Sequence, residues 1–379
     1  MTNSKTIAKD LELDSILRKV FGSDHHSLMS LATYMLCCGN VMKDYEKWAK
    51  KHYLPESLCF NDKIISEIFS TTITDSKRHH FLDLWSKKAS QENIFAYDST
   101  SISTDSSIIQ AKYGFNKEND KKKQVNLGIL YGYDSRLPFN YSWYQGNIVD
   151  KSYFKFMLDL TKNIQDKEIT YVMDQGYFSS ENLRKINEMS NKFITFLPRS
   201  TSLSRKFIDE VSGEYLGYTN LVPGFNNVKC KTITTELKGI KCNLHVYLDP
   251  EKQIELQSDF EQYLLYEENE LKDKINQKVI TPKSCKYFKI NKEGKTEYTY
   301  ERDIEKISYE YKRLGYFVLI TNDLELTSSQ VLDVYRGKDL IEKAFRDIKS
   351  NLDSRRLRTQ KSETTDGKLF VMFISLILL

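Results

Sequence analysis

An ordered run of strand and helix patterns between residues 93 and 199 constrains the fold of this 379-residue chain more than any other feature. Strand patterns rich in β-branched and aromatic residues occur at 93–103, 125–147, 169–176 and 192–199. Helical patterns, with apolar residues at three- and four-residue steps, occur at 150–164 and 179–190. Because 125–147 contains turn residues between Asp134 and Pro138, it reads as two strands. The order β–β–β–α–β–α–β predicts an α/β sheet with an antiparallel part.

The segments on either side of this run have different patterns. Residues 1–90 show the apolar steps of helices without long alternating stretches, which predicts a helical N-terminal domain. Residues 200–312 contain short alternating stretches around one long charged helix at 251–277. A loop of this length does not fit a compact fold without structure of its own, so we predict a β-rich insertion domain at 200–312.

The pattern of a buried strand returns in the last segment, 313–379, as the sequence GYFVLITND. A long helix is predicted to follow from Thr327, because Thr327 and Gln330 have the spacing of a capping box. These features assign the last segment to the same core as residues 91–199. The chain stops inside the apolar run LFVMFISLILL, which reads as a buried helix, so we expect a truncated C-terminus.

Composition is that of a soluble globular protein, with 40% hydrophobic and 28% charged residues. The N-terminus is polar, without the pattern of a secretory signal, and the apolar run at the C-terminus is far shorter than the ~20 residues that span a bilayer. The six cysteines lack the spacing of a disulfide framework. We therefore expect a cytoplasmic protein with free thiols and no membrane partner.

A cationic stripe lies on the long C-terminal helix. Residues 335–361 hold nine Lys or Arg and four Asp or Glu, against a net charge of +4 for the whole chain. At about 100° per residue, one stripe of a continuous helix would carry Tyr335, Lys338, Glu342, Arg346 and Lys349. A basic stripe is typical of phosphate binding, but a lattice of exposed ion pairs would produce the same pattern.

Two further carboxylates lie on the predicted strands. Asp98 is in phase with Ile94 and Ala96 on the first strand, and Asp174 ends an apolar strand just before Gly176. Ligands bind beyond the carboxyl ends of strands in open α/β sheets, and carboxylate oxygens suit Mg²⁺. Either residue could instead cap a turn. Other candidates for a carboxylate site are Asp105, Asp134, Asp339 and Asp347.

Three segments together carry a resemblance to a known family: YDSTSIS, VMDQGYFSSENL and VYRGKDLIEKAFRDIKSNLDSRRLRTQ. They resemble the DDE transposases of bacterial insertion sequences, in the insertion-sequence-four-like branch with a Tyr–Arg–Glu–Lys signature spaced Y-x2-R-x3-E-x6-K. The resemblance implies a ribonuclease-H-like catalytic core interrupted by the insertion domain. It implies that Asp98, Asp174 and Glu342 hold two Mg²⁺ ions, for which Mn²⁺ can substitute.

The resemblance also implies an activity. Water hydrolyses a phosphodiester at the end of the element, and the freed 3′-hydroxyl then attacks target DNA. Such enzymes act as dimers or higher multimers on double-stranded DNA, here in a bacterial cytoplasm at the nucleoid. The helical domain at 1–90 would also bind DNA.

The cations of the stripe are expected to contact the DNA. Tyr335, Lys338 and Lys349 would contact phosphates near the cut bond, whereas Glu342 holds metal. Lys338 occupies the position of the arginine in the signature. Lysine keeps the positive charge but cannot form the bidentate hydrogen bonds of a guanidinium. Arg346, on the same stripe, is expected to compensate for the guanidinium that is missing at position 338.

Two alternatives remain open at this point. Lys338 and the end of the chain at Leu379 are also compatible with a truncated, non-catalytic relative that competes for transposon ends. Another ribonuclease-H-like nuclease, such as a resolvase, is the second alternative. Trp143 and Tyr144 could stack on a flipped base, although aromatic strand residues more often belong to a core.

The DNA that flanks the gene provides a first test. We expect short inverted repeats on both sides, because a transposase of this type cuts at the ends of its own element. Sequencing the flanks measures this directly. Flanks without repeats would instead favour a nuclease with another role.

Overall fold

The computed structural model describes residues 2–88, 92–114, 121–161, 168–212, 214, 217–277, 285–293, 297–339, 342–343, 345–346 and 356–379. The chain divides into two compact units. Unit 1 comprises Met1–Thr195 and Val334–Leu379, and unit 2 comprises Phe196–Asp333. The four domains inferred from the sequence, at 1–90, 91–199, 200–312 and 313–379, stay a prediction.

The described residues form strands and helices in an order that follows the predicted pattern closely. The strands are β1 (Ile94–Thr104), β2 (Gln124–Gly132), β3 (Pro138–Gln145), β4 (Thr170–Met173), β5 (Lys192–Phe196), β6 (Lys229–Leu237), β7 (Ile240–Leu248), β8 (Phe288–Glu293), β9 (Glu297–Arg302), β10 (Tyr316–Thr321) and β11 (Arg356–Leu357). The helices are α1 (Thr2–Asp10), α2 (Leu13–Phe21), α3 (His25–Cys38), α4 (Tyr45–Lys51), α5 (Asp62–Glu67), α6 (Asp75–Ser86), α7 (Asp150–Thr161), α8 (Ser180–Glu188), α9 (Ser202–Ser212), α10 (Pro250–Asn276), α11 (Ile304–Tyr311), α12 (Ser328–Gly337) and α13 (Ser362–Ile377).

Unit 1 is built on a mixed sheet with the strand order β3-β2-β1-β4-β5. The first three strands form an antiparallel meander, whereas β4 runs parallel to β1 and β5 parallel to β4. The two-residue strand β11 also pairs with β1, in parallel. Every residue of β2 is buried, because helices cover the sheet. The predicted mixed α/β sheet is confirmed.

The apolar C-terminal run is a buried helix, as predicted. In α13 nearly every residue from Thr364 to Ile377 is buried. Phe370 packs against Phe21 and Phe81, with ring centroids 5.5 and 5.1 Å away. The N-terminal helices and α13 therefore share one core in unit 1. None of the helices in the described part of the chain has the length and apolarity that spanning a membrane would need.

Unit 2 contains an antiparallel sheet in the order β10-β7-β6 and a separate hairpin of β8 and β9. The 27-residue helix α10 confirms the long charged helix predicted at 251–277. Its Glu268 accepts hydrogen bonds from Arg302 and Tyr300, which tie the helix to the β8–β9 hairpin.

The capping box at the start of α12 is also present. The Thr327 N–H donates to Gln330 Oε1 at 3.0 Å, and the Gln330 N–H donates back to Thr327 Oγ1 at 3.3 Å. Two of the helix's first amide protons thus have partners, which favours a helix start at this position.

The prediction of one continuous helix through Lys338 is wrong. Helix α12 ends at Gly337, and Lys338 lies in a turn, its N–H donating to the Tyr335 carbonyl at 3.2 Å. The described residues 339, 342–343 and 345–346 are helical again. Glycine is a weak helix former, and here a Cβ would lie 2.2 Å from the Tyr133 ring, so this close contact also requires a glycine.

Replacing Phe370 with alanine should destabilise unit 1 by about 3–5 kcal/mol, because a fully buried ring leaves a cavity among Phe21 and Phe81. Urea unfolding followed by circular dichroism measures the loss. The matched control is Phe156→Ala in the same unit, which removes a ring that is 53% exposed and should change stability by less than about 0.5 kcal/mol. Equal effects of the two variants would contradict the shared core.

Candidate active site

Two aspartates lie side by side in the unit 1 sheet, Asp98 in the middle of β1 and Asp174 just after the end of β4. Strands β1 and β4 are parallel neighbours, and their register pairs Tyr97 with Met173. Asp98 and Asp174 each follow by one residue, so the two carboxylates start from adjacent strands about 4.8 Å apart. Asp98 is buried, and the Asp174 side chain is 43% exposed. The structure therefore brings these two predicted site residues together.

Asp98 is anchored by its surroundings. Its Oδ1 accepts the Ser99 N–H at 2.8 Å and lies 3.4 Å from the Tyr177 hydroxyl. That hydroxyl also lies 2.6 Å from Ser99 Oγ. Burial raises the pKa of Tyr177 well above its usual value, so the phenol stays protonated and can donate. These contacts restrict the orientation of the Asp98 carboxylate.

Asp174 caps the short 3₁₀ helix Gln175–Tyr177, accepting the Gln175 N–H at 2.8 Å. Its Oδ1 lies 3.3 Å from the Tyr335 hydroxyl. The same oxygen lies 3.9 Å from the Lys338 ammonium. The end of α12 and the turn after it are thus held over the end of β4 by contacts to one carboxylate oxygen.

Lys338 connects Asp174 to the third predicted acid. Its Nζ lies 3.6 Å from Glu342 Oε1, one helical turn further along the chain. The Lys338 side chain is only 5% exposed, whereas that of Glu342 is 56% exposed. One buried ammonium therefore forms ion pairs with both carboxylates.

The pKa of Tyr335 is shifted by its burial and by the charges of the three acids. Burial raises this pKa far above its usual value, and the charges of Asp174, Glu342 and Asp98 raise it further. A phenolate at this position would face three carboxylates, so the Tyr335 hydroxyl remains a neutral donor.

The chemistry of these donors fits a hard divalent cation, since carboxylate oxygens are the ligands that Mg²⁺ and Mn²⁺ prefer. A positive charge, the Lys338 ammonium, already lies between Asp174 and Glu342. Within the described residues, however, no group of three His, Cys, Asp or Glu side chains is close enough to hold a metal ion. Asp174 and Glu342 are both paired with Lys338, so a three-carboxylate cage would need side chains to move.

A cavity of about 320 Å³ opens beside the two aspartates. Asn126, Gly146, Asp150 and Gly176 line it together with Asp98 and Asp174. At Gly176 the backbone is not in the left-handed region and a Cβ would meet open space. The turn after Asp174 therefore does not require glycine for its conformation. Because Gly176 has no side chain, the part of the cavity beside it stays open.

The other candidates from the sequence are located elsewhere. Arg346 is helical and exposed, whereas Lys349 and Asp347 lie outside the described residues. Asp105, Asp134 and Asp339 are exposed. The Trp143 indole donates to Asp366, and the Tyr144 ring stacks on Tyr153 at 3.8 Å, which makes Tyr144 a core residue.

Reasoning from sequence missed two polar residues at this site. Tyr177 contacts Asp98 because the short helix after Asp174 folds its side chain back over β1. Asp150 reaches the cavity from the first turn of α7 and accepts the Tyr144 hydroxyl at 2.5 Å. The available signal for Tyr177 was its place three residues after the strand-end aspartate. No comparable signal marks Asp150, because its position depends on how α7 packs.

Residues 89–378 match the family model described as "Transposase DDE domain". No curated protein sequence matches the chain. A cryo-EM structure of a piggyBac transposase synaptic complex with hairpin DNA is similar at a TM-score of 0.48 and 9% sequence identity, covering 93% of this chain and 64% of that chain. The chain thus spans less than two thirds of that protein.

Tyr177→Phe should lower the stability of unit 1 by about 1 kcal/mol, because it removes a buried hydroxyl that bonds Ser99 and lies beside Asp98. Urea unfolding measures the difference. Tyr53→Phe is the control, since Tyr53 is 93% exposed and its hydroxyl is in solvent. An unchanged midpoint for Tyr177→Phe would mean that the hydroxyl contributes nothing to the site.

Proposed function

Because the chain belongs to the Transposase DDE domain family, we propose that it is a DNA transposase that cuts strands at insertion-sequence ends and joins them to target DNA. The observation that carries this proposal is the placement of Asp98 on β1 beside Asp174 at the end of β4, with Glu342 paired to the same lysine, Lys338, as Asp174. The family match covers all three acids.

We assign the unit 1 sheet to a ribonuclease-H-like core. Its antiparallel meander β1–β3 followed by the parallel strands β4 and β5 supports this assignment. Asp98 on β1 lies beside the carboxyl end of β4, where Asp174 follows, so the substrate phosphate would lie at that end of β4.

Asp98, Asp174 and Glu342 are the residues that would hold two Mg²⁺ or Mn²⁺ ions. When bound, such a pair of ions activates an attacking oxygen and stabilises the leaving oxygen in phosphodiester transfer. The chain's own contribution is orientation: Ser99 and Tyr177 hold Asp98, while Tyr335 donates toward Asp174. Rigid supporting contacts of this kind keep ligands in productive positions.

DNA is the proposed partner, bound by a homodimer or higher multimer. Arg346 is exposed on the segment that carries Glu342, and Lys349 is assigned to the same surface by the sequence signature. Lys338 is buried between carboxylates, so its phosphate contact requires the side chain to turn outward. Binding that depends on such cations weakens as salt rises.

A second candidate function has one specific observation in its favour. The Lys338 ammonium pairs with Asp174 and Glu342 and so neutralises two of the three acids. A non-catalytic relative that only occupies transposon ends could use this arrangement for stability alone. The two candidates differ in whether the purified protein cuts DNA.

Replacing any one of Asp98, Asp174 or Glu342 by alanine should abolish metal-dependent nicking of a supercoiled plasmid that carries the native ends. Removing a residue that only hydrogen-bonds a metal ligand typically lowers metal affinity or activity by about 10–100-fold. Removing a ligand itself should therefore lower the nicking rate by more than about 100-fold. Binding to the ends, measured by gel shift, should stay within about threefold of the unchanged protein.

Asp339→Ala is the matched control, because Asp339 is an exposed acid on the same segment as Glu342 and should leave nicking intact. Cleavage by Glu342→Ala with Mg²⁺ would contradict the assignment of the third acid. An unchanged protein that binds the ends but never nicks them with Mg²⁺ or Mn²⁺ would identify the non-catalytic relative.

A further inference from the structure

Lys338 has an unusual combination of burial and partners. Its side chain is 5% exposed, yet its ammonium lies 3.9 Å from Asp174 Oδ1 and 3.6 Å from Glu342 Oε1. It also lies over the Tyr335 ring, 5.8 Å from the centroid. A cation in this position is stabilised by two carboxylates and a π face at once.

These contacts set up a competition between positive charges. The two carboxylates that pair with Lys338 are two of the three proposed metal ligands. A divalent cation on Asp174 and Glu342 would be repelled by an ammonium beside the same oxygens, and burial makes that repulsion stronger than in water. The Lys338 side chain therefore has to leave before both carboxylates can serve a divalent cation.

A DNA phosphate provides an alternative partner for the ammonium. Lysine is a compact point charge on a flexible stem, so it can turn from a carboxylate to a phosphate within reach. The position after Gly337 favours such a change, because Lys338 lies in a turn between two helical stretches. Its backbone is thus outside the regular hydrogen bonding of α12.

We infer that Lys338 is a positioning residue that couples DNA binding to divalent-cation binding at the carboxylate site. Without DNA, its ammonium pairs with Asp174 and Glu342 and opposes cation entry. A phosphate of bound DNA withdraws the ammonium and releases both carboxylates. The inference rests on the proposed function, because it needs DNA as the ligand and these acids as the metal site.

Calcium and a DNA duplex carrying one native end test the inference, since Ca²⁺ takes carboxylate oxygens and its binding is measured by calorimetry without any cleavage. For the unchanged protein, DNA should tighten Ca²⁺ binding by at least about fivefold, the lower end of typical coupling between sites. Linkage requires Ca²⁺ to tighten DNA binding by the same factor.

Lys338→Met removes the charge and keeps an unbranched apolar stem. It should tighten Ca²⁺ binding without DNA by about tenfold, and DNA should then change Ca²⁺ affinity by less than about twofold. Lys338→Gln is measured alongside as a polar neutral variant, in case the methionine side chain perturbs folding. Lys343→Met, which neutralises an exposed lysine beside Glu342, is the matched control and should behave like the unchanged protein.

Two results would overturn the inference: neutral variants at position 338 that bind Ca²⁺ no more tightly without DNA, or coupling that persists unchanged in them. Failure of the proposed function looks different. The protein could fail to cut DNA while Lys338→Met still raises its Ca²⁺ affinity. That result would contradict the transposase activity and support the competition between Lys338 and the cation.

Discussion

The parallel pairing of β1 with β4 is the constraint on which the site depends. A register that aligns Tyr97 with Met173 places Asp98, within β1, beside Asp174, which follows the end of β4. A shift of one residue would point one of these side chains to the opposite face, because side chains alternate along a strand. β1 and β2 are buried along almost their whole length, and residues 94–97 of β1 pair one by one with residues 170–173 of β4.

The contacts around Asp98 and Asp174 are of two kinds. Tyr177 and Ser99 hold Asp98 from within the core, where the Asp98 carboxylate accepts from the Ser99 N–H and lies beside the protonated Tyr177 hydroxyl. Tyr335 and Lys338 approach Asp174 from a separate part of the chain. The first kind lies between buried residues. The second kind depends on the end of α12 and on the turn that contains Lys338. A ligand can therefore rearrange these contacts.

Much of the fold was predictable because its signals are local. Alternating and three-to-four-residue apolar patterns located the strands and helices, and the capping pair Thr327 and Gln330 located the start of α12. The end of α12 at Gly337 was missed, because a helical wheel assumes a continuous helix. Contact with Tyr133, which is about 200 residues away in sequence, coincides with that end.

The sequence by itself determined which residue types are available: two strand-associated aspartates, a glutamate among cations, and the motifs of a transposase family. It placed Tyr335, Lys338 and Glu342 near one another, because spacing along a helix is a local property. Only the tertiary structure decided that Lys338 is buried between Asp174 and Glu342 instead of extending to solvent. Burial and ion pairing depend on what the rest of the chain packs around a side chain, and no periodicity in the sequence encodes that.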